Sequence, residues 1–393
     1  MLQHRTKLLL ALFALIIFST ACKHNMSPDT PLDPVYTPSI IIGSDNRILY
    51  AFDPATGNKN WELAFPGPMT ASPLLYNGML YIGLQSGLVG GADAPDDTLY
   101  KVNAKTGKIV KKMVILPHEF YSYSATPVAD GNLIYLATTN DTLYAIDTGT
   151  GVQKWAYGTG GPITSSPTVH NGNVYFGGTD GYIYCLDKTL GTLTWKYHAG
   201  TGVKFNSSVA IGDPYLFIGA SDSSVYSMFL TSPTTTGVNK WVYKTGGAVN
   251  SSPTAYGGVC TFGCDDFHIY CVDTATGIAR WIDSAGDRII SSPIADNQVF
   301  YVGSYDTKFY AIDIISGGIK WTFPTSGLIK SCPVVYGGNV YIGSYDKYLY
   351  ALDTATGNIR WKTNINGLIE CSPVVNDLEK VTGYNSGISG NTQ

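Results

Sequence analysis

A phrase of thirteen residues that returns about every forty positions constrains this chain more than any other feature. LYALDTATGNIRW at 349–361 recurs as FYAIDIISGGIKW at 309–321 and IYCVDTATGIARW at 269–281. Earlier copies are IYCLDKTLGTLTW at 183–195, LYAIDTGTGVQKW at 143–155 and LYAFDPATGNKNW at 49–61. Two more are degraded. LYKVNAKTGKIVK at 99–111 has Asn103 for the Asp and Lys111 for the Trp, while VYSMFLTSPTTTGVNKW at 225–241 keeps Trp241 behind a longer turn. Eight copies result, and Trp241, Trp281, Trp321 and Trp361 stand forty residues apart. A period of this length marks units that cannot bury their apolar faces alone and must stack on their neighbours.

Each unit carries two further landmarks. A Ser-Pro-type strand follows the Trp by about twelve residues: Ser72-Pro73, Thr126-Pro127, Ser166-Pro167, Ser252-Pro253, Ser292-Pro293, Cys332-Pro333 and Ser372-Pro373, with Ser208-Val209 lacking the proline. About ten residues later an apolar and aromatic run ends at Gly83, Ala137, Gly177, Gly219, Gly263, Gly303 or Gly343, which suits a pleated, half-buried strand. Pairs such as Asn171-Gly172 and Asp180-Gly181 supply the positive φ angles of tight hairpins. A unit is therefore four antiparallel strands. The 44 glycines and the strand-like alternation exclude a helical solenoid of the same period, and charged residues at only 14% exclude a disordered or coiled-coil chain.

Eight such units predict an all-β fold, an eight-bladed β-propeller, whose radial packing leaves only short, protected edges. The rings of Trp61, Trp155, Trp195, Trp241, Trp281, Trp321 and Trp361 are expected to dock blade on blade. The first unit starts midway, at SIIIGSDNRILYAFD (39–53), and the chain ends on a half unit, CSPVVNDLEKVTG (371–383). Together the two halves predict one blade that closes the ring between the N- and C-terminal segments. The propeller is expected over 39–387, with a short tail at 388–393.

The amino terminus reads as an export signal over 1–21. Arg5 and Lys7 precede an apolar run from Leu8 to Phe18, too short to span a bilayer comfortably, and small residues lead to Cys22. This tail resembles a bacterial lipobox, with Ser19 in place of the usual Leu, which implies lipidation of Cys22. Ordinary cleavage near Ala21 is the alternative. The polar, Pro-containing stretch 22–38 is expected to act as a tether. Net charge is −4, and removing 1–21, with its two basic and no acidic residues, leaves −6; nucleic-acid binding is not indicated.

At the repeat residues the chain resembles the pyrroloquinoline-quinone-like (PQQ-like) repeat family, whose core reads Ala-x-Asp-x-x-Thr-Gly-x-x-x-Trp and whose fold is an eight-bladed propeller. The resemblance covers nearly all of 39–387, and with a lipoprotein-type signal and no added domains it points to the BamB-type outer-membrane assembly lipoproteins. It implies a non-catalytic, monomeric scaffold in the cell envelope, held to the outer membrane by a lipid anchor, on its periplasmic or surface face, and binding a protein partner such as the β-barrel assembly machinery. A glycan- or peptide-binding propeller is a second reading, and a PQQ-dependent dehydrogenase a third. The quinoprotein dehydrogenases hold their quinone with adjacent cysteines, Ca²⁺-binding acidic and amide groups and a catalytic Asp, on blades with long insertions. No two cysteines are adjacent here, and three successive repeats hold to forty residues, so no cofactor is expected.

Candidate binding residues are the departures from the repeat. Three positions before the proline, one column reads Thr70, Ser124, Thr164, Asn206, Asn250, Ile290, Lys330 and Glu370, and two positions earlier stand Lys204 and Arg288. If the Ser-Pro strand is innermost, Lys204, Arg288, Lys330 and Glu370 line the axis, with Lys330 and Glu370 paired across adjacent blades. The second unit adds an insertion at 85–99 carrying Asp93, Asp96 and Asp97, which lacks the ordered spacing of a calcium loop, and the segment PHEFYSYSATP, whose His118, Tyr121 and Tyr123 would form an aromatic rim. Cys260, Cys264 and Cys271 share one hairpin; a two-residue turn would set all three on one face, compatible with a cross-strand disulfide or with free thiols, while His268 faces away and no Cys-x-x-Cys pair suggests a metal. No GxSxG, HExxH or phosphate-cradling motif appears, and the many Asp residues are mostly turn residues that recur with the repeat.

Overall fold

Eight sheets of four antiparallel strands follow one another along the chain in the computed structural model, which describes residues 38–84, 98–114, 125–231 and 239–377. The blade with strands Val334–Tyr336, Asn339–Gly343, Tyr348–Asp353 and Ile359–Asn364 is representative. Pro333 has no N–H to donate, so the short first strand begins just after it. Gly337 and Gly338, at φ +59° and +75°, turn the chain into the second strand. The second and third strands are almost wholly buried, and the fourth alternates between exposed and half-buried residues, so it forms the outer rim.

One blade is assembled from both ends of the chain. Strands Ser39–Gly43, Ile48–Phe52 and Lys59–Ala64 take Val374–Asn376 as their innermost member, in the register Ser39↔Asn376, Ile40↔Val375 and Ile41↔Val374. The fold is thus an all-β propeller of eight blades, closed by antiparallel pairing of its first and last strands.

Three contacts, repeated from blade to blade, hold the ring. The first is the Trp of the outer strand, whose indole covers the glycine of the next blade's outer turn. A Cβ at Gly57 would lie 2.6 Å from the ring of Trp361, and at Gly107, Gly191, Gly277, Gly317 and Gly357 the rings of Trp61, Trp155, Trp241, Trp281 and Trp321 come equally near. Each of these turn glycines has φ close to +70°, so both backbone and space require glycine. The indole Nε1 donates to a carbonyl of the same turn: Trp361 to Pro54 at 2.8 Å, Trp321 to Thr354 at 3.0 Å, Trp241 to Thr274 at 2.9 Å and Trp61 to Ala104 at 3.2 Å. Where Lys111 replaces the Trp, its Nζ donates to the Thr150 carbonyl at 2.5 Å, and Met113 covers Gly151.

The second contact sets a buried apolar residue against the glycine ending the second strand of the preceding blade. Ile289, Ile329 and Ile369 would each stand 2.1–2.2 Å from a Cβ at Gly263, Gly303 and Gly343. The third runs around the axis. The backbone N–H of the residue before each inner strand's proline position donates to the hydroxyl of its counterpart in the next blade. Links run from Thr126 to Ser166, Ser166 to Ser208, Ser208 to Ser252 and Ser372 to Ser72, at 2.7–2.9 Å. Cys332 takes part with its thiol as acceptor from Ser292 at 3.4 Å. The Ser of the Ser-Pro landmark is therefore a rivet between blades.

Among the described residues the outer turns are closed by the Asp of the repeat, or by Asn103 in its place. Asp353 Oδ1 accepts from the N–H groups of Ala355 and Thr356 and from the Thr356 hydroxyl, and Asn103 does the same with Lys105 and Thr106. Three of these carboxyls are pulled down to about 2: Asp147 chiefly by the Thr150 amide, Asp273 by the Arg280 guanidinium, and Asp353 by the Thr356 hydroxyl and then Arg360.

One sequence expectation is corrected. Four residues, 264–267, separate Val259–Gly263 from His268–Asp273, not two. Thr261 faces Cys271 and Cys260 faces Val272, so Cys260 and Cys271 lie on opposite faces of the sheet, in different packing clusters. All six described cysteines are thiols, and burial pushes Cys264 and Cys271 up to about 11. Asn171, Gly172 and Gly181 take the left-handed backbone expected of their pairs, and among the described residues the loop after the second strand is left-handed at non-glycine residues in the other blades. Arg47, Asp141, Ser223, Phe267, Thr307 and Lys347 adopt φ between +60° and +74° at the equivalent position.

Three outcomes are expected. Trp361→Ala should destabilise by about 3 kcal/mol and Trp361→Phe by distinctly less, measured by thermal or urea unfolding, because the smaller ring keeps most of the packing and loses only the indole N–H. A chain ending at Glu370 should melt several degrees lower, since it loses the closing strand. In acid, carboxyls whose folded values lie below the ordinary value of about 4 contribute their full stabilisation above that pH and lose it as pH falls through about 2. The melting temperature should therefore fall over that window, and the double variant Asp273→Asn/Asp353→Asn, which keeps the turn acceptor but not the titration, should show a shallower fall.

Candidate functional site at the mouth of the axis

The segment entering each blade alternates as a strand does, which decides what reaches the axis. Four positions before the proline stand buried apolar residues, Met69, Ile163, Phe205, Val249, Ile289, Ile329 and Ile369. Two positions before it the column is again buried, with Ser165, Ser207, Ser251, Ser291 and Ser331. The residues between them are half-buried or exposed. Their side chains reach across to the next blade, which is feasible only where blades converge. Thr164 Oγ1 donates to Asn206 Oδ1 at 3.1 Å, Asn206 Nδ2 to Asn250 Oδ1 at 3.1 Å, and Lys330 Nζ to Glu370 Oε2 at 2.8 Å.

A second column joins them from the loop after the second strand. It reads Asp45, Thr139, Thr179, Ser221, Asp265, Tyr305 and Tyr345. Tyr345 OH donates to Glu370 Oε1 at 2.6 Å, and Asn250 Nδ2 donates to Asp265 Oδ2 at 2.9 Å. Arg288 is exposed, with its guanidinium 5.0 Å from the centre of the Tyr305 ring and 3.9 Å from Asp287. Lys204 is exposed, its backbone N–H donating to Ser221 Oγ at 2.8 Å. The mouth is lopsided: Tyr305, Tyr345, Lys330 and Glu370 crowd one side, and a row of hydroxyls and amides from Thr164 to Asn250 lines the other.

Electrostatics follow from these pairings. Burial acts to raise the Glu370 carboxyl, but hydrogen bonds from Lys330 and Tyr345 outweigh it and hold the group below its ordinary value. Burial, and then the bond to Glu370, push the Tyr345 phenol well up. Asp265 is raised by burial despite opposition from Asn250 and Arg288. Its second oxygen is buried without a hydrogen-bond partner among the described residues.

Lys330 and Glu370 are thus brought together, with Arg288 one blade away on Tyr305, and Lys204 stands apart from them across the amide row. Cys22, His118, Tyr121 and Tyr123, together with the aspartates at 93–97 and the tail at 388–393, lie outside the described residues. Sequence reasoning overlooked Tyr305, Tyr345 and Asp265. Reading the loop after the second strand as a column would have found them, since two tyrosines stand there where other blades carry small or acidic residues.

The donor set does not suit a quinone with its calcium ion. Glu370 is already engaged by Lys330 and Tyr345, and Asp265 by Asn250. Among the described residues no group of three or more His, Cys, Asp or Glu side chains is arranged to hold a metal ion.

Comparison with known proteins places this geometry. BamB from Moraxella catarrhalis superposes with a TM-score of 0.62 at 19% identity, over 83% of this chain and 90% of that one. The computationally designed Ika8 protein gives 0.66 at 16% identity, over 78% and 91%. The quinohemoprotein alcohol dehydrogenase ADHIIG from Pseudomonas putida HK5 gives 0.64 at 16% identity, over 79% and 68%. At such identities the likeness is one of fold, shared by BamB, a designed protein and an alcohol dehydrogenase. No curated protein matches the sequence. The family described as "Outer membrane protein assembly factor BamB" matches residues 23–114, 95–241 and 265–381, so most of the chain is covered, and the protein belongs to that family.

Proposed function

We propose that the protein is a non-catalytic envelope lipoprotein, anchored through Cys22, that binds a protein partner at the mouth of its axis as part of outer-membrane protein assembly. The observation that carries this reading is the family match over most of the chain. The mouth supports it: Lys330 and Glu370 are paired and held by Tyr345, Arg288 and Lys204 are exposed cations, and half-buried Tyr305 and Tyr345 are, with Arg288, the residue types that anchor protein interfaces. Polar rows and aromatic rings would also suit a saccharide, which is the second reading.

Retention from envelope extracts on immobilised protein separates them. A β-barrel assembly protein should be retained, and Lys204→Glu/Arg288→Glu, both exposed and outside the Lys330–Glu370 pair, should lower retention about tenfold or more with the melting temperature nearly unchanged. Retention of a polysaccharide instead, or unaltered retention by the double variant, would remove the assembly reading or the mouth from consideration respectively.

A further inference from the structure

The degraded second blade concentrates positive charge on a chain whose net charge is −4. Residues 98–114 hold five lysines and no acidic side chain, because Asn103 replaces the turn Asp. Two of the lysines donate to the next blade, Lys101 to the Thr148 carbonyl at 2.9 Å and Lys111 to that of Thr150, and the Lys112 ammonium lies 5.7 Å from the centre of the Tyr100 ring. Lys105, Lys108 and Lys112 are exposed, and none belongs to an ion pair among the described residues. Between them stand exposed Ile109 and Val110, the latter 55% accessible. The outer turns of the next two blades add Val152 and Leu190, the latter 68% accessible.

Topology fixes the end of the ring at which this corner lies. With four antiparallel strands per blade, inner hairpins and outer turns share one end, and the axial mouth of the preceding subsections is at the other. Ser39, where the propeller begins, pairs with Asn376 and accepts from Asn60 Nδ2 at 2.9 Å, which puts the entry of the chain at the end of the outer turns. Trp61 of that first blade donates to Ala104, next to Lys105. The lysine turn therefore flanks the blade from which the preceding segment emerges. The seventeen residues from Cys22 to Pro38 reach at most about 55 Å, ample to bring this end to the surface that holds the anchor.

We propose that this corner, with Lys105, Lys108 and Lys112 around Ile109 and Val110, docks on the phosphate headgroups of an anionic bilayer, turning the axial mouth away from the membrane. The proposal rests on the lipid-anchor reading for its orientation. A bilayer is favoured over an acidic protein because the apolar groups are separate tips on successive turns, which a fluid headgroup layer accommodates one by one, and because the chain enters at this end.

The test uses the secreted full chain with Cys22→Ser, which removes the acyl chain, and vesicles of phosphatidylcholine with or without one-third phosphatidylglycerol. Binding should require phosphatidylglycerol and weaken with salt, and Lys105→Gln/Lys108→Gln/Lys112→Gln should lower the partition coefficient about a hundredfold. Lys308→Gln/Lys347→Gln/Lys362→Gln, an equal charge loss elsewhere, should leave it nearly unchanged. Equal partition of the first variant and the unsubstituted protein, equal loss in the second, or capture on an immobilised polyglutamate peptide without vesicle binding would each overturn the proposal. Intact mass of the wild-type protein from membranes reports acylation at Cys22 independently, so failure of the anchor and failure of the basic corner are read separately.

Discussion

The contact between an indole and the bare backbone of a neighbouring turn is what the rest of this structure depends on. It fixes at once the spacing of blades at the rim, the identity of the turn glycine and the direction of the indole N–H. The acceptor is often shared: the Pro54 carbonyl receives both Trp361 and the Tyr341 hydroxyl, and that of Thr354 both Trp321 and the Tyr301 hydroxyl. A buried carbonyl has two lone pairs, and both are satisfied here by side chains of one neighbour. Each blade is therefore positioned by its neighbour, and the blade shared between the chain ends lets the same contacts close the ring.

This division of labour leaves the axial loops free to vary. Rim and core are bound by the wedge geometry, so the same residue types recur at them around the ring. At the mouth, side chains meet solvent and one another, and departures such as Tyr305, Tyr345 and Glu370 can be placed without disturbing the interior. The second blade shows the opposite compromise: losing its Trp, it holds its neighbour with the ammonium groups of Lys101 and Lys111 and with Met113.

Much of this was readable in the chain before any coordinates. The repeat disclosed blade number, strand order, the shared closing blade and the roles of Trp, Asp and Gly, because each is demanded again in unit after unit. At the mouth, the column before the proline already set Lys330 next to Glu370. What escaped notice depended on loop length or on loops read singly. Cys260 and Cys271 part company because the hairpin has four residues, not two, between its strands. Left-handed backbone at Phe267 or Lys347 is imposed by the loop against the residue's own preference, so no local signature announces it. Tyr305 and Tyr345 sit in a column whose other members are small or acidic, and an aromatic residue in a strand-rich chain attracts no attention unless its counterparts are aligned.

The entry at Ser39 and the last inner strand, which runs to Asn376, lie side by side at one end of the ring. Neither terminus of the described chain has to pass over the opposite end. Whatever approaches along the axis from the mouth therefore meets loops that join strands, and neither end of the described chain.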